Sequence, residues 1–231
     1  MKTKLPLFIC VLFLLALGAC SGPRYYTNNL FEKQTAHHKV IAILPAEVIY
    51  TGNIPKELSP EDIRYIEETE SKAFQNSLYN SIMRHANTRS YFTRVNVQDI
   101  STTQKMLETA GISLRGSWKE DDKTLARILG VDAVVRLRIQ QKRYMSDLAS
   151  MGVDVSRRIL YKTSSFIKLP IPSISNKTAD LVVSCYVVSN NLVLWNDNSQ
   201  RGTDYNTPSD KVIEEITDNF GRHFPYKQRN S

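Results

Sequence analysis

Residues 129–140 read Leu129-Gly130-Val131-Asp132-Ala133-Val134-Val135-Arg136-Leu137-Arg138-Ile139-Gln140, and this stretch decides the fold. Val131, Ala133, Val135, Leu137 and Ile139 fall on one side of an extended chain, and Arg136, Arg138 and Gln140 on the other. That period of two is the pattern of a half-buried strand. Immediately before it, Glu120 to Leu129 carries a helical pattern that Gly130 stops. Helix followed directly by strand is how an α/β domain is wound.

Working outward, Val40-Ile41-Ala42-Ile43-Leu44 is an apolar run ended by Pro45, a strand buried on both faces that Val48-Ile49-Tyr50 extends beyond the proline. Ser59-Pro60-Glu61-Asp62 opens a helix with an N-cap serine, proline at the first position and an acid three residues after the cap. Ile63, Ile66, Ala73, Phe74, Leu78 and Ile82 then mark one stripe as far as residue 86. Tyr91 to Gln98 reads as a strand and Ser101 to Ala110 as a short helix. Downstream, Thr178 to Ser189 and Leu192 to Trp195 are two strands about an Asn190-Asn191 turn. Asn196–Asn206 is a polar loop, and Thr207-Pro208-Ser209-Asp210 begins a last helix that ends before Pro225. Residues 144–176 form an irregular insert, in which Ser146 to Tyr161 is weakly helical. The expected architecture is one α/β (α+β) domain over residues 39–231, a mixed sheet of about five strands with helices packed on it, in the order β-α-β-α-α-β-insert-β-β-α.

The chain has 231 residues, 42% hydrophobic and 23% charged, with nine glycines and nine prolines. This excludes collagen-like, low-complexity and wholly disordered chains. One apolar run exists, Leu5 to Leu17, behind the basic start Met1-Lys2-Thr3-Lys4. As a helix it would cover about 20 Å, short of the roughly 30 Å of a hydrocarbon core, so residues 1–19 read as a secretion signal. The signal ends in Leu17-Gly18-Ala19-Cys20, which resembles the bacterial lipobox. The resemblance implies cleavage before Cys20, a diacylglyceryl group on its sulfur, and an acyl chain such as palmitate on its amino group. Three chains anchor a protein permanently where one binds only marginally. Ser21, where an aspartate would resemble a retention signal, implies the periplasm-facing outer membrane. Residues 20–38 read as the lipidated cysteine and a flexible tether. The eighteen residues after Cys20 reach at most about 60 Å and typically about 24 Å.

The net charge of +7 comes from 30 Lys and Arg against 23 Asp and Glu, and no run of like charge marks a nucleic-acid surface. Of three cysteines, Cys10 leaves with the signal and Cys20 is lipidated; Cys185 is left without a disulfide partner. It shares its strand face with Leu181, Val183 and Val187, the setting of a buried, inert thiol.

The order of elements looks like that of a small periplasmic α/β domain. It is shared by lipoproteins related to the curli-secretion lipoprotein, the penicillin-binding-protein activator lipoprotein and the TolB amino-terminal domain. The residues that carry the resemblance are the lipobox at Cys20, Val40–Pro45, Leu129–Val135, the hairpin ending at Leu194-Trp195 and the last helix leading to Phe224-Pro225. The resemblance implies an accessory or interaction role and brings no catalytic residue with it.

No nucleophile elbow, metalloprotease helix, dinucleotide fingerprint or phosphate loop occurs. His37 and His38 would point to opposite faces of a strand, and His85 and His223 fall near helix ends. No metal site and no cofactor beyond the lipid on Cys20 is expected. Acidic clusters at Glu67-Glu68-Glu70, Asp121-Asp122 and Glu214-Glu215 read as solvated helix faces. Four residues stand out for partner binding: Trp195, which either caps the core or anchors a partner, Arg201 in the polar loop, and Arg136 and Arg138 on the polar side of their strand. The expected function is a non-enzymatic, lipid-anchored envelope protein, an accessory in outer-membrane or cell-wall assembly or secretion, with an envelope protein or a second copy as partner. An oligomeric secretion-pore component and an activator of a cell-wall synthase are the alternatives. The pore reading suffers because Tyr161 to Leu169 puts Lys162 and Lys168 on the face of Phe166.

Overall fold

The computed structural model describes residues 25–56, 58–146, 150–151, 177–204 and 206–230. Residues 1–24, with the signal and Cys20, and most of the 144–176 insert lie outside them. The framework is a mixed sheet. Its centre is β6 (Ala133–Arg143), which runs antiparallel to β7 (Ala179–Ser189) and parallel to β2 (Val40–Ile43) and β3 (Glu47–Gly52). β2 meets β6 at Ala133–Val135 and β3 meets it at Arg138–Arg143, so the two are one strand interrupted. The interruption is Pro45, which has no N–H to give the ladder.

β7 turns at Asn190 and Asn191, both at positive φ (49° and 62°), into β8 (Leu192–Thr203). Asparagine tolerates that conformation, and such a turn matches the twist of the paired strands. β1 (Tyr25–Thr27) closes one edge on β8 and β5 (Asn96–Val97) the other on β2. β4 (Tyr91–Thr93) and β9 (Lys227–Arg229) make a separate two-stranded ribbon.

Two layers of helix cover the sheet unequally. On the inner face lie α2 (Pro60–Ala86) and α6 (Ser209–Arg222), over a core that includes Phe74, Leu78, Ile82, Val135, Val183, Trp195 and Phe220. Ser59 and Asp62 cap α2 reciprocally, side chain to backbone. On the outer face α3 (Ile100–Thr109) and α5 (Asp122–Leu129) bury Ala42, Leu44, Val134 and Val188 beneath Leu107, Leu125 and Leu129. Gly130, at φ 64°, takes the left-handed turn that ends α5. Among the described residues no helix is long and apolar enough to cross a membrane.

Several expectations need correction. The helix expected over 120–129 is α5, capped by the Asp121 side chain; a further helix before it, α4 (Leu114–Lys119), was not expected, and extended Glu120 separates the two. The strand expected over 91–98 divides between two sheets. The sheet holds more than the five strands expected. The polar 196–206 segment is not a loop as far as Thr203, because β7 supplies a full ladder to it. Of the tether, residues 25–38 lie on the domain. β1 pairs with Asp197, Asn196 and Trp195, and Phe31 in α1 (Phe31–Thr35) is 3% exposed against Tyr226. His38 Nδ1 lies 2.7 Å from the Tyr226 hydroxyl.

Candidate functional site: the open face of the sheet

Alternation along the strands sorts every side chain of the sheet to one face or the other. Register then lines up the outer-face residues in rungs across four strands. Arg136, Tyr186, Asn196 and Tyr26 form one rung across β6, β7, β8 and β1. Glu47, Arg138, Ser184 and Asn198 form the next, and Ile49, Gln140, Val182 and Gln200 the third, both across β3, β6, β7 and β8. α3 and α5 roof the sheet only above these rungs. Along the rungs the described residues leave the face partly open, and apolar side chains stand in it singly: Tyr26 is 56% exposed, Val182 40% and Ile49 36%.

Where the roof stops, a groove of about 160 Å³ runs between Pro45, Glu47, Arg136, Arg138, Tyr186 and Val193. Its chemistry is balanced. Arg138 Nε donates to Glu47 Oε2 at 2.6 Å, and that hydrogen bond chiefly holds the guanidinium above its usual range. Arg136 pairs with Asp122 and donates to the carbonyls of Ser117 (3.0 Å) and Glu120 (2.5 Å). It therefore ties the end of α4 and the start of α5 to the sheet. The rest of the face is amide and hydroxyl, and Ser184 donates to Asn198 Oδ1 at 2.7 Å. A surface of paired charges, amides and scattered apolar groups has the composition of the polar-rimmed contacts that proteins make with one another.

The four residues singled out in the sequence do not converge. Arg136 and Arg138 line the groove. Arg201 stands on the inner face, in register with Leu181, and its guanidinium is 2.5 Å from Glu215 of α6. Trp195 is fully buried, edge-on to Phe224 at 6.4 Å, so it caps the core and is no surface anchor. Tyr26, Tyr186, Val182 and Ile49 were missed. Only the register of strands distant in sequence brings them together, although the alternation of β7 could have pointed outward with Val182, Ser184 and Tyr186.

The acidic clusters divide in the same way. Glu214 and Glu215 reach Arg84 and Arg201 at the surface, and Asp121 caps α5. Glu67 is not solvated. It is 8% exposed, accepts from the Tyr50 N–H at 3.1 Å, and meets Arg115 at 2.5 Å. Cys185 is buried, and burial together with Asp197 pushes its thiol well up, the environment of an inert cysteine. No group of three or more metal-ligating side chains exists among the described residues. His85 instead meets Asp218 at 2.7 Å and His223 meets the buried Asp197 at 2.9 Å.

The chain matches no protein-family model and no curated protein sequence. Among solved structures it is similar to lipoprotein GNA1162 from Neisseria meningitidis, at 11% identity over 80% of this chain and 94% of that one, with a TM-score of 0.41. It is also similar to the PelC dodecamer from Paraburkholderia phytofirmans (11% identity, 80% and 85% covered, TM-score 0.37). A third similar structure is the LpoB C-terminal domain from Salmonella enterica (10% identity, 75% and 93% covered, TM-score 0.35). At these identities and scores no residue and no role is carried across.

Proposed function

We propose that this protein is a non-enzymatic, lipid-anchored component of the bacterial outer membrane, held by acyl chains on Cys20, whose domain receives an envelope partner on the open face of its sheet. The observation that carries the reading is the uneven roof. Helices cover most of the inner face and the upper outer face, yet the described residues leave three rungs of the outer face partly open, with Tyr26, Ile49 and Val182 exposed. Exposed apolar side chains set among paired charges and amides are the composition of a polar protein–protein contact. The lipobox, the lack of a catalytic signature and the resemblance drawn from the sequence support the rest of the proposal.

The test is photo-crosslinking in intact cells, with a benzophenone side chain placed at Gln140 or Ser184 on the open face and at Lys211 on α6 as control. One reproducible envelope adduct from the first two positions and none from the third is expected. Adducts to this chain alone would make the face a self-association surface and favour the oligomeric alternative. Identical adducts from all three positions, or none, would refute the docking face. Loss of membrane attachment in Cys20→Ser tests the anchor separately.

A further inference from the structure

Alternation along β1 sends its two tyrosines to opposite sides of the sheet. Tyr26 pairs with Asn196 of the open face, whereas Tyr25 pairs with the buried Asp197. Tyr25 is 41% exposed and lies against the ring of His223 at 5.1 Å. His223 directly follows α6, whose last residue is Arg222. The Arg222 carbonyl accepts from Lys227 Nζ, and that ammonium sits 4.9 Å over the ring of Tyr91, itself 38% exposed. These contacts join Tyr25 to Tyr91 in one strip, although the two are far apart in sequence. In the β4–β9 ribbon Tyr91 pairs with Arg229 and Thr93 with Lys227, which puts Tyr91, Lys227 and Arg229 on one face. Arg89 lies at the end of the ribbon, where its carbonyl accepts from Asn230 Nδ2 at 2.8 Å.

The strip is cationic. The carboxylates of Asp197 and Asp218 adjoin it, and both are occupied: Asp197 is buried against His223, and Asp218 holds Arg84, His85 and Arg222. Among the described residues no carboxylate pairs with Arg89, Lys227 or Arg229. A tyrosine offers an apolar ring and a hydroxyl that stays wet, which suits the level of lipid headgroups. Unpaired cations beside two such rings complement anionic headgroups. The place of the strip selects a bilayer over a soluble acidic partner. Cys20 is five residue steps from Tyr25, at most about 18 Å of chain, so an anchored chain carries the strip to the headgroups. Each Lys or Arg held near an anionic leaflet favours contact about fivefold, which suffices to orient a domain that is already tethered.

We infer that Tyr25, Tyr91, Arg89, Lys227 and Arg229 form a surface that lies on anionic phospholipid headgroups and fixes the orientation of the domain on its membrane. The inference rests on the lipid anchor proposed above. It leaves the open face, on the other side of β1, to its partner.

The test uses the acylated full chain carrying Ser90→Cys, labelled with nitrobenzoxadiazole. Cys185 is buried, so the dye goes to residue 90. The protein is reconstituted into phosphatidylcholine vesicles with or without phosphatidylglycerol, which also hold a lipid spin-labelled near its headgroup, and quenching of the dye reads contact. In anionic vesicles, quenching at residue 90 should be about twofold or more that of the same dye at Lys211→Cys on α6. The excess should vanish in pure phosphatidylcholine and at about 0.5 M salt. Arg89→Glu combined with Arg229→Glu should abolish it as well, and the salt series asks the same question with no substitution. Mass spectrometry of the purified chain and its flotation with vesicles report the anchor separately. Flotation of an acylated chain with equal quenching at residues 90 and 211, or with quenching indifferent to lipid charge and salt, overturns the inference and leaves the anchor standing. A chain that carries no acyl group overturns the anchor and the inference together.

Discussion

Gly221 is where the two inner helices come closest, and replacing it with alanine tests the packing that creates the inner face. Gly221 lies in α6 opposite Ser81 of α2. A methyl group built there would collide with Ser81 Oγ and stand 2.8 Å from the Ser81 backbone carbon and 3.0 Å from its Cβ. Turning the serine relieves the first contact only. To bring the backbone contact to the roughly 3.5 Å of ordinary carbon–carbon packing, the helices must part by about 0.7 Å. Overpacking of this kind costs about 1–3 kcal/mol. Against it, alanine in a helix interior is favoured over glycine by about 0.5–1 kcal/mol. The packing term wins, and Gly221→Ala should destabilise by about 1–2 kcal/mol, a fall of about 2–8 °C in a domain of this size. Urea unfolding with constant slope measures it. Ser81→Ala removes an Oγ that has no hydrogen-bond partner among the described residues, so alone it should change little; combined with Gly221→Ala it should restore part of the loss, a positive coupling between touching sites. If Gly221→Ala is neutral or stabilising, helix propensity has prevailed and the close approach of α2 to α6 is wrong.

Two further predictions test the buried polar and aromatic groups. Trp195→Ala should destabilise by about 3–5 kcal/mol, whereas Trp195→Phe should cost distinctly less, because the indole N–H it removes is buried with no acceptor among the described residues; equal, small losses in thermal unfolding would return Trp195 to the surface. Burial alone would raise the Asp218 carboxyl, but hydrogen bonds from His85, Arg84 and Arg222 outweigh it and bring the pKa down to about 2 from 3.8. Its stabilisation is present above about pH 4 and lost as pH falls toward 2. The shift corresponds to about 2 kcal/mol, reduced to about 1 kcal/mol because Arg84 and Arg222 are 51% and 63% exposed. Unfolding of Asp218→Asn against the native chain should therefore differ at pH 7 and converge near pH 2; an equal gap at both would refute the ionic account.

What the sequence made legible was local. The alternation around Arg136, the Ser59 cap, the stop at Gly130 and the Asn190-Asn191 turn each act within a few residues, and each is where the pattern put it. What escaped it depends on partners far along the chain. Asn196 to Gln200 has poor intrinsic preference for a strand, and becomes one because β7 offers it a ladder from Leu181 to Val187. Tyr25 to Thr27 looks like linker, and is a strand because the edge of β8 is free to pair. Glu67 and Glu70 look like a solvated helix face, yet they turn inward because Arg115 from α4 and Tyr50 from β3 meet them there. The candidate site was half legible for the same reason. Arg136 and Arg138 follow from the period of one strand, while Tyr26, Ile49 and Val182 join them only through the register of four others.

Docking of residues 25–38 on the domain also changes what the proposed anchor can do. With lipid on Cys20, only five residue steps separate the bilayer from Tyr25, at most about 18 Å, rather than the eighteen-residue tether that the sequence suggests. Tyr25 is held in place twice, by the β1–β8 ladder and by its ring against His223 at 5.1 Å, and His223 is itself bound to the buried Asp197. The edge of the sheet nearest the anchor is therefore part of the folded domain. Tyr26, one residue on, stands in the first rung of the open face. A partner on that face would be met close to the membrane that carries the anchor. An activator that must span the periplasm needs the opposite design, a long free chain before its first fixed strand. The short span thus weighs against the synthase-activator alternative, and favours a partner at the same membrane.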